Sequence, residues 1–273
     1  MTDSPFQGLY LPLEKPCRYL DRIGVSYKED ASLDYLGELM LGQLHHIPFE
    51  DLDVFHGQKE PELTTTGLFE KIIVNRRGGY CFELNGLFKK LLDSLHFSCR
   101  SHMARVVWHY PHLTPPSHQV NIVTIDEQDY FCDVGFGGPI PFSPLPIVFE
   151  KDLVCPVSGR TYRFTKKDSQ ITLSVQTEDR FKPMLIILDH PCDPVDFVPL
   201  NHFCAHSPIE PFIHKQMVWL AAPAGRRSIE KNILRIENNG SVTEEILQTE
   251  EDLRHALRHW FGIEYPGNFR DWH

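Results

Sequence analysis

Residues 76–86 read RRGGYCFELNG, and they are the most informative stretch of the chain. Two glycines lead into a helix predicted to begin at Cys81, because leucine and phenylalanine then recur at helical spacing as far as Leu95. Cys81 lies on this apolar stripe, three residues before Leu84, so we expect its side chain to face the interior. The first turn of a helix favours a thiolate through its unpaired N–H groups and its dipole, which makes Cys81 a candidate nucleophile.

A purely structural cysteine is the alternative interpretation of Cys81. Free cysteine is among the most buried residue types and often only fills space. The preceding pair, Gly78 and Gly79, favours a functional role, because glycine lets a backbone segment or a ligand approach closely. On this local pattern alone, the two interpretations remain about equally weighted.

Composition predicts a soluble globular protein. The chain has 273 residues, of which 41% are hydrophobic and 23% are charged, and no apolar run approaches the ~20 residues of a membrane span. Residues 1–5 lack the basic and apolar regions of a signal peptide. The seven cysteines are odd in number and scattered, as expected for reduced thiols. We therefore expect a cytoplasmic protein with no membrane attachment and, without a C-x-x-C pair, no metal.

The formal net charge of −10 argues against nucleic-acid binding. Nucleic-acid-binding proteins carry a basic footprint, whereas lysine and arginine form only short pairs here. An anionic small molecule would need local groups to hold it against the overall field. The sequence does not determine the oligomeric state.

The pattern of apolar residues changes twice along the chain. Residues 1–95 are mostly helical in pattern, with predicted helices at Pro16–Ile23, at Leu33–His46 after a Ser32 cap, and from a Thr65 or Thr66 cap to Val74. Residues 96–200 contain short β-branched and aromatic runs, which predict an antiparallel sheet or a small barrel. Residues 201–273 alternate strands, including a run at 229–236, with turns, and end in a predicted helix at Glu250–Phe261.

Two polar residues accompany apolar runs of the predicted sheet: His118 opens one run, and Asp133 lies inside another. If Ile125 faces Gln128 across a two-residue hairpin loop, His118 and Asp133 become diagonal neighbours on one face, with Cα atoms ~7–8 Å apart. A buried carboxylate needs a partner, and His118 is the candidate. A three-residue loop would place the two on opposite faces, and Asp133 would then only cap the turn before Gly135.

Cys81, His118 and Asp133 together form a candidate nucleophile, base and orienting acid. An imidazolium beside a thiolate stabilises the ion pair, and Asp133 would hold one ring N–H while the other nitrogen serves the sulfur. Gly135, Gly137 and Gly138 would keep the adjoining loop free of side chains, so that a ligand could reach backbone N–H groups. Turn geometry alone is the simpler explanation of these glycines.

At these residues the chain resembles the arylamine N-acetyltransferases, nearly from end to end. The segments that carry the resemblance are 19–24, 47–53, 77–85, 104–106, 117–118, 133–137, 207–208 with Phe212, and 261–263. The resemblance implies an α+β fold of three parts: a helical bundle (1–95) with the nucleophile, an antiparallel β-barrel (96–200) with His118 and Asp133, and an α/β lid (201–273). It also implies a catalytic core like that of papain-type and transglutaminase-type enzymes.

The resemblance further implies a ping-pong acetyl transfer of the kind used in xenobiotic metabolism. Acetyl-CoA would acylate Cys81, and an arylamine, arylhydrazine or N-hydroxyarylamine would then take the acetyl group. Backbone N–H groups, including that of Cys81, would stabilise the oxyanion. The residues expected to line the acceptor pocket are Phe49, Phe136, Phe212 and Ser117. The residues expected near CoA are Thr114, Pro115, Gly135 and Gly137.

The sequence departs from the family pattern at several positions, and two alternative functions stay open. Glu210 and Pro211 stand where the family usually has small hydroxyl residues, and a carboxylate near CoA phosphates is unfavourable. A thiol hydrolase would use the same three residues to pass the acyl group to water or lysine. A non-catalytic binding protein would keep only the scaffold, although a buried Cys-His-Asp set has little structural use.

Overall fold

The amino-terminal third of the chain is mainly helical in the computed structural model, which describes residues 4–108, 110, 112–178, 180–270 and 272. Residues 1–3, part of the stretch used to predict the cellular location, lie outside the described residues. The elements of this third are α1 (Pro16–Ile23), α2 (Leu33–His46), β1 (Phe49–Glu50), α3 (Leu52–Phe55), α4 (Thr65–Phe69), a π-helical turn (Glu70–Val74) and α5 (Cys81–Ser94).

A barrel-like, nearly closed antiparallel sheet of eight strands follows within the described residues. Its strands are β2 (Ser98–Val106), β3 (His118–Ile125), β4 (Gln128–Cys132), β5 (Leu145–Pro146), β6 (Asp152–Val154), β7 (Thr161–Lys167), β8 (Gln170–Gln176) and β9 (Phe181–Leu188). Their spatial order is β5-β4-β3-β2-β9-β8-β7-β6. The α+β fold class is therefore confirmed.

A second antiparallel sheet combines the carboxyl-terminal part of the chain with β1. After α6 (Phe197–His206), the strands are β10 (Met217–Ala222), β11 (Gly225–Glu230), β12 (Ile233–Asn238) and β13 (Ser241–Ile246), and the last helix is α7 (Glu250–Phe261). β1 joins this sheet because Phe49 pairs with Trp219 of β10. Segments from opposite ends of the sequence therefore meet at one sheet edge, and the expected boundary between residues 200 and 201 falls inside α6.

The helix bounds expected for α1, α2 and α7 agree with the structure, and two local details differ. Thr64, not Thr65 or Thr66, caps α4, because its Oγ1 accepts the Gly67 N–H at 3.1 Å. The run at 229–236 is two strands, since Lys231 takes a left-handed φ of 52° between them. Similar apolar residues on both sides of that turn hide it from the hydrophobic pattern.

Two apolar cores hold these helices and sheets together. The larger core packs α2 and α5 against the eight-stranded sheet. The smaller core packs α3 and α7 against the second sheet, through residues that include Leu52, Phe55, Leu253 and Phe261. Among the described residues, no helix combines the length and apolarity needed to cross a membrane.

Candidate active site

The start of α5 is set by close backbone packing. A Cβ on Gly78 would lie 2.0 Å from the Pro48 carbonyl oxygen, and one on Gly79 would lie 2.8 Å from the Glu83 side chain. Both positions therefore require glycine, and the close approach is by protein atoms. The Tyr80 N–H donates to Glu83 Oε2 at 3.0 Å, so the helix begins at Cys81. Cys81 is 3% exposed, as its place on the apolar stripe predicts.

A buried ion-pair network lies behind this helix start. Lys71 Nζ lies 2.8 Å from both Glu83 Oε1 and Asp53 Oδ2. Arg77 Nη2 lies 2.7 Å from Glu50 Oε1 and 3.0 Å from Asp53 Oδ1. The pairs connect the π-helical turn, the strand β1 and the first turn of α5, which fixes the orientation of the segment that carries Cys81.

His118 and Asp133 are in direct contact, as the two-residue hairpin predicts. Ile125 pairs with Gln128, and His118 Nε2 lies 2.7 Å from Asp133 Oδ2. Both residues are buried. Burial lowers the pKa of His118, but the charges of Asp133 and Cys81 and hydrogen bonds to both outweigh it and raise the pKa from 6.5 to about 10. The imidazole is therefore an imidazolium at neutral pH.

The sulfur of Cys81 lies beside His118. Its Sγ lies 3.6 Å from the Ser117 carbonyl oxygen, and its interaction with the His118 ring raises the pKa of that ring. Since Asp133 occupies Nε2, the other ring nitrogen is left for the sulfur. The structure thus brings the three predicted residues together in the order sulfur, imidazole and carboxylate.

Sequence reasoning missed Asn85, which joins these parts. Asn85 Nδ2 donates to Asp133 Oδ1 at 2.9 Å and to the Gln119 carbonyl at 2.7 Å, and its Oδ1 accepts the Val134 N–H at 2.9 Å. Its side chain therefore satisfies groups on both strands of the hairpin. The signal available in the sequence was an amide one helical turn after Cys81, on an otherwise apolar stripe, and the structure buries this amide completely.

A cavity of about 970 Å³ opens beside Cys81 and His118. All residues predicted to bind the acceptor or CoA line it: Phe49, Phe136, Phe212, Ser117, Thr114, Pro115, Gly135 and Gly137. A Cβ on Gly135 would lie 3.0 Å from Cys81 Cα, which is tighter than most real contacts of a Cβ atom. Gly137 has a left-handed φ of 71°. Close approach and turn geometry thus explain these two glycines.

Several cavity residues were not found from the sequence. Trp219 lines the cavity, and its Nε1 is buried without a hydrogen-bond partner among the described residues. Glu210, which the resemblance had already placed near CoA, also lines it, and burial raises the pKa of its carboxyl. Three cationic side chains also line the cavity, Arg160, Lys215 and Arg226; Lys215 is paired with Glu230 and Arg226 with Glu237. The Glu210 carboxyl therefore shares the cavity with three cationic groups, two of which already have carboxylate partners.

Comparison with known proteins identifies the family and the fold. A family model described as N-acetyltransferase matches residues 32–269. The arylamine N-acetyltransferase of Escherichia coli (strain K12) is 31% identical over 248 residues, which is 90% of this chain and 87% of that protein. The solved structure of the arylamine N-acetyltransferase from Salmonella typhimurium is similar with a TM-score of 0.87 and 27% identity, over 96% of each chain. The Mycobacterium marinum arylamine N-acetyltransferase in complex with CoA is similar with a TM-score of 0.82 and 28% identity, over 90% of this chain and 92% of that one.

Proposed function

Because the chain belongs to the arylamine N-acetyltransferase family, we propose that it transfers an acetyl group from acetyl-CoA through Cys81 to an aromatic amine. The acceptors proposed are arylamines, arylhydrazines and N-hydroxyarylamines. The observation that carries the proposal is the buried His118, whose ring contacts Asp133 on one side and interacts with Cys81 on the other.

In the first step, the Cys81 thiolate attacks the thioester carbonyl of acetyl-CoA. The C–S bond to CoA breaks, acetyl-Cys81 forms, and His118 supplies the proton that the departing CoA thiolate takes up. The raised pKa of His118 supports this role, because the ring carries a proton at neutral pH. The N–H of Cys81 stands at the first position of α5, where helical geometry provides no intrahelical acceptor, and it would donate to the developing oxyanion.

In the second step, the amine nitrogen attacks the acetyl carbonyl of acetyl-Cys81. His118 takes the proton from the nitrogen, the C–S bond breaks, and the amide product leaves with Cys81 again a thiolate. Asp133 holds the imidazole in position and stabilises its charged form. This assignment gives all three residues a role, whereas a non-catalytic scaffold gives them none.

The cavity suits both substrates. Phe49 and Phe212, with ring centroids 6.3 Å apart, and Phe136 offer aromatic walls to a flat amine. Arg160, Lys215 and Arg226 would hold CoA phosphates. In this proposal, residues 1–95 carry the nucleophile, 96–200 carry the base and its acid, and 201–273 cover the cavity and keep water from the acyl-enzyme.

Peptide mapping by mass spectrometry after mixing with acetyl-CoA tests the proposal. We expect one acetyl group on the peptide with Cys81, and its loss with formation of the N-acetyl product when aniline is added. Cys204 is the matched internal control, because its Sγ lies 3.8 Å from the same Ser117 carbonyl and burial raises the pKa of its thiol.

Two results would count against the proposed transferase. Absence of acetyl from Cys81 would contradict the covalent step. Rapid loss of the acetyl group in buffer without amine would instead favour a thiol hydrolase. The Cys81→Ala variant, with its fold checked by circular dichroism, should show neither acetylation nor turnover.

A further inference from the structure

Three potential metal ligands meet on the surface where α6 packs against the segment before α4. His202 and His206 lie one turn apart on α6, with imidazole centroids 4.4 Å apart. Glu60 Oε2 lies 2.8 Å from His202 Nδ1 and 3.9 Å from His206 Nδ1. One ligand atom from each of the three residues lies within 4.8 Å of the others. No other group of this kind occurs in the described part of the chain.

Neighbouring groups orient these side chains. Asn201, which is 2% exposed, donates from Nδ2 to Glu60 Oε1 at 3.1 Å and to the Pro61 carbonyl at 2.9 Å. This hydrogen bond turns Oε2 of Glu60 toward the histidines. His206 Nδ1 donates to the His202 carbonyl at 2.9 Å, which leaves a lone pair on Nε2. A histidine that donates one ring N–H to a carbonyl while its other nitrogen binds a metal is the usual arrangement around metal sites.

We propose that Glu60, His202 and His206 bind a divalent transition-metal ion, with Zn²⁺ the best match. Two imidazoles and one carboxylate are ligands that suit Zn²⁺, and three protein ligands leave a fourth position for water. The site is separate from the candidate active site, because none of its residues lines that cavity. The proposal is independent of the transferase activity, and it differs from the sequence-based expectation that the protein binds no metal.

The bound ion would join two segments that are 142 residues apart in the sequence. The unfolded chain holds these ligands far apart, so Zn²⁺ binds the folded state preferentially and stabilises it.

Calorimetric titration with Zn²⁺ and thermal unfolding with and without Zn²⁺ test the site. Wild-type protein should bind one equivalent at this site and show a higher Tm with Zn²⁺. His202→Ala, His206→Ala and Glu60→Gln should each weaken binding about tenfold or more and reduce the Tm shift. The side chains of His202 and His206 are 67% and 47% exposed, and glutamine at position 60 keeps Oε1 for Asn201, so these variants should fold normally.

The chain provides its own matched control. His255 and His259 are also one turn apart on a helix, with stacked rings 5.6 Å apart, but they belong to no three-ligand group among the described residues. The double variant His255→Ala/His259→Ala should bind Zn²⁺ like the wild type. Equal loss in this control, or unchanged binding in the His202 or His206 variants, would overturn the proposal. Unchanged binding by Glu60→Gln would overturn the three-ligand site.

Substitution with Co²⁺ separates this site from the thiols. Cobalt bound by a thiolate gives an intense near-ultraviolet charge-transfer band, whereas nitrogen and oxygen ligands do not. We expect Co²⁺ bound to the wild type to lack this band, and the visible cobalt spectrum to disappear in His202→Ala. A thiolate band that persists in His202→Ala would show that cysteine holds the ion and would refute the proposal.

Discussion

Asn85 Nδ2 lies 2.9 Å from Asp133 Oδ1, so the helix that begins at Cys81 is hydrogen-bonded directly to the carboxylate that contacts His118. The two oxygens of Asp133 have different partners. Oδ2 faces His118, while Oδ1 accepts from Asn85 and from the Gly135 N–H at 2.9 Å. These donors offset the cost of burying a carboxylate and hold it in one orientation.

Replacing Asn85 should therefore lower both stability and turnover. Asn85→Ala leaves the Val134 N–H without its acceptor and removes a donor from Asp133, and each buried unsatisfied group costs about 1–3 kcal/mol. We expect a lower Tm and a reduced kcat with KM for the amine little changed. Asn85→Asp keeps the shape but places a second carboxylate against Asp133, so it should reduce kcat further.

Thermal unfolding and steady-state kinetics on the folded variants provide the measurement. The NMR signals of the His118 ring distinguish positioning from general destabilisation, because they should shift in the Asn85 variants. A folded Asn85→Ala protein with wild-type kcat and an unchanged His118 signal would show that Asn85 is not a positioning residue.

Asp133→Asn should lower the pKa of His118. The charge of Asp133 is the largest interaction that raises this pKa to about 10 against the effect of burial. A raised histidine pKa contributes stability that is fully present below pH 6.5 and is lost as the pH rises through about 10. As the pH rises from 6.5 to about 10, the variant should therefore lose less stability than the wild type. Its turnover should be lower than that of the wild type by roughly 10³–10⁴-fold.

NMR titration of the histidine rings checks this prediction. His102 is a suitable control, because burial lowers its pKa and its ring nitrogen Nδ1 bonds to the Leu188 carbonyl, away from Asp133. The titration of His102 should be the same in the wild type and in Asp133→Asn. An unchanged His118 titration in Asp133→Asn would contradict the assigned cause of the shift.

The local features of the site were predictable from the sequence because they depend on short-range geometry. The glycine pair and the apolar stripe locate the start of α5. The hairpin register followed from a two-residue loop, and both loop residues, Asp126 and Glu127, have the positive φ that such turns require. Once that register was fixed, His118 and Asp133 had to be neighbours on one face.

Contacts between distant segments were not predictable in this way. Trp219 reaches the cavity because β10 pairs with the two-residue strand β1, which is too short to show a period. Glu60 meets His202 across 142 residues. Asn85 could be seen as unusual on an apolar helix, but nothing in its local pattern indicates Asp133 as its partner. Hydrophobic periodicity describes faces of elements and carries no information about which elements pack together.

Asp51→Asn should stabilise the protein at neutral pH. Asp51 Oδ1 accepts the Met217 N–H at 2.8 Å, Oδ2 is buried without a partner among the described residues, and burial raises the pKa of the carboxyl well above its ordinary value. A carboxyl that is neutral when folded but ionised when unfolded makes folding less favourable as the pH rises above 3.8. Asparagine keeps an acceptor for Met217 and removes this penalty.

The measurement is Tm as a function of pH for wild type and variant. The gain from Asp51→Asn should be clear at pH 7 and vanish near pH 4. Asp53→Asn is the control with the opposite sign: burial raises the Asp53 pKa, but Lys71 and Arg77 outweigh it and lower the pKa to about 2, so its charge stabilises the protein above pH 3.8. Destabilisation by Asp51→Asn at pH 7 would show that the Asp51 carboxylate of the wild type is charged and paired.

Trp219 should determine which amines the cavity prefers. Its indole Nε1 is a buried donor without a partner among the described residues, and the side chain lines the same cavity as Phe49 and Phe212. An amine that carries an acceptor on its ring would satisfy this donor, whereas one without an acceptor leaves it unpaired. We therefore expect para-aminobenzoate to gain a hydrogen bond that aniline cannot make.

Trp219→Phe isolates this hydrogen bond, because phenylalanine keeps an aromatic wall and removes only the N–H donor and part of the ring. We expect kcat/KM for para-aminobenzoate to fall about tenfold, the value of one hydrogen bond to a charged acceptor, while the value for aniline changes little. Acetylation of Cys81 by acetyl-CoA, measured without any amine, should be unaffected and confirms that the variant is intact. Equal losses of kcat/KM for the two amines would show that Trp219 contributes only its shape to the cavity. The predicted preference for acceptor-bearing amines would then be wrong.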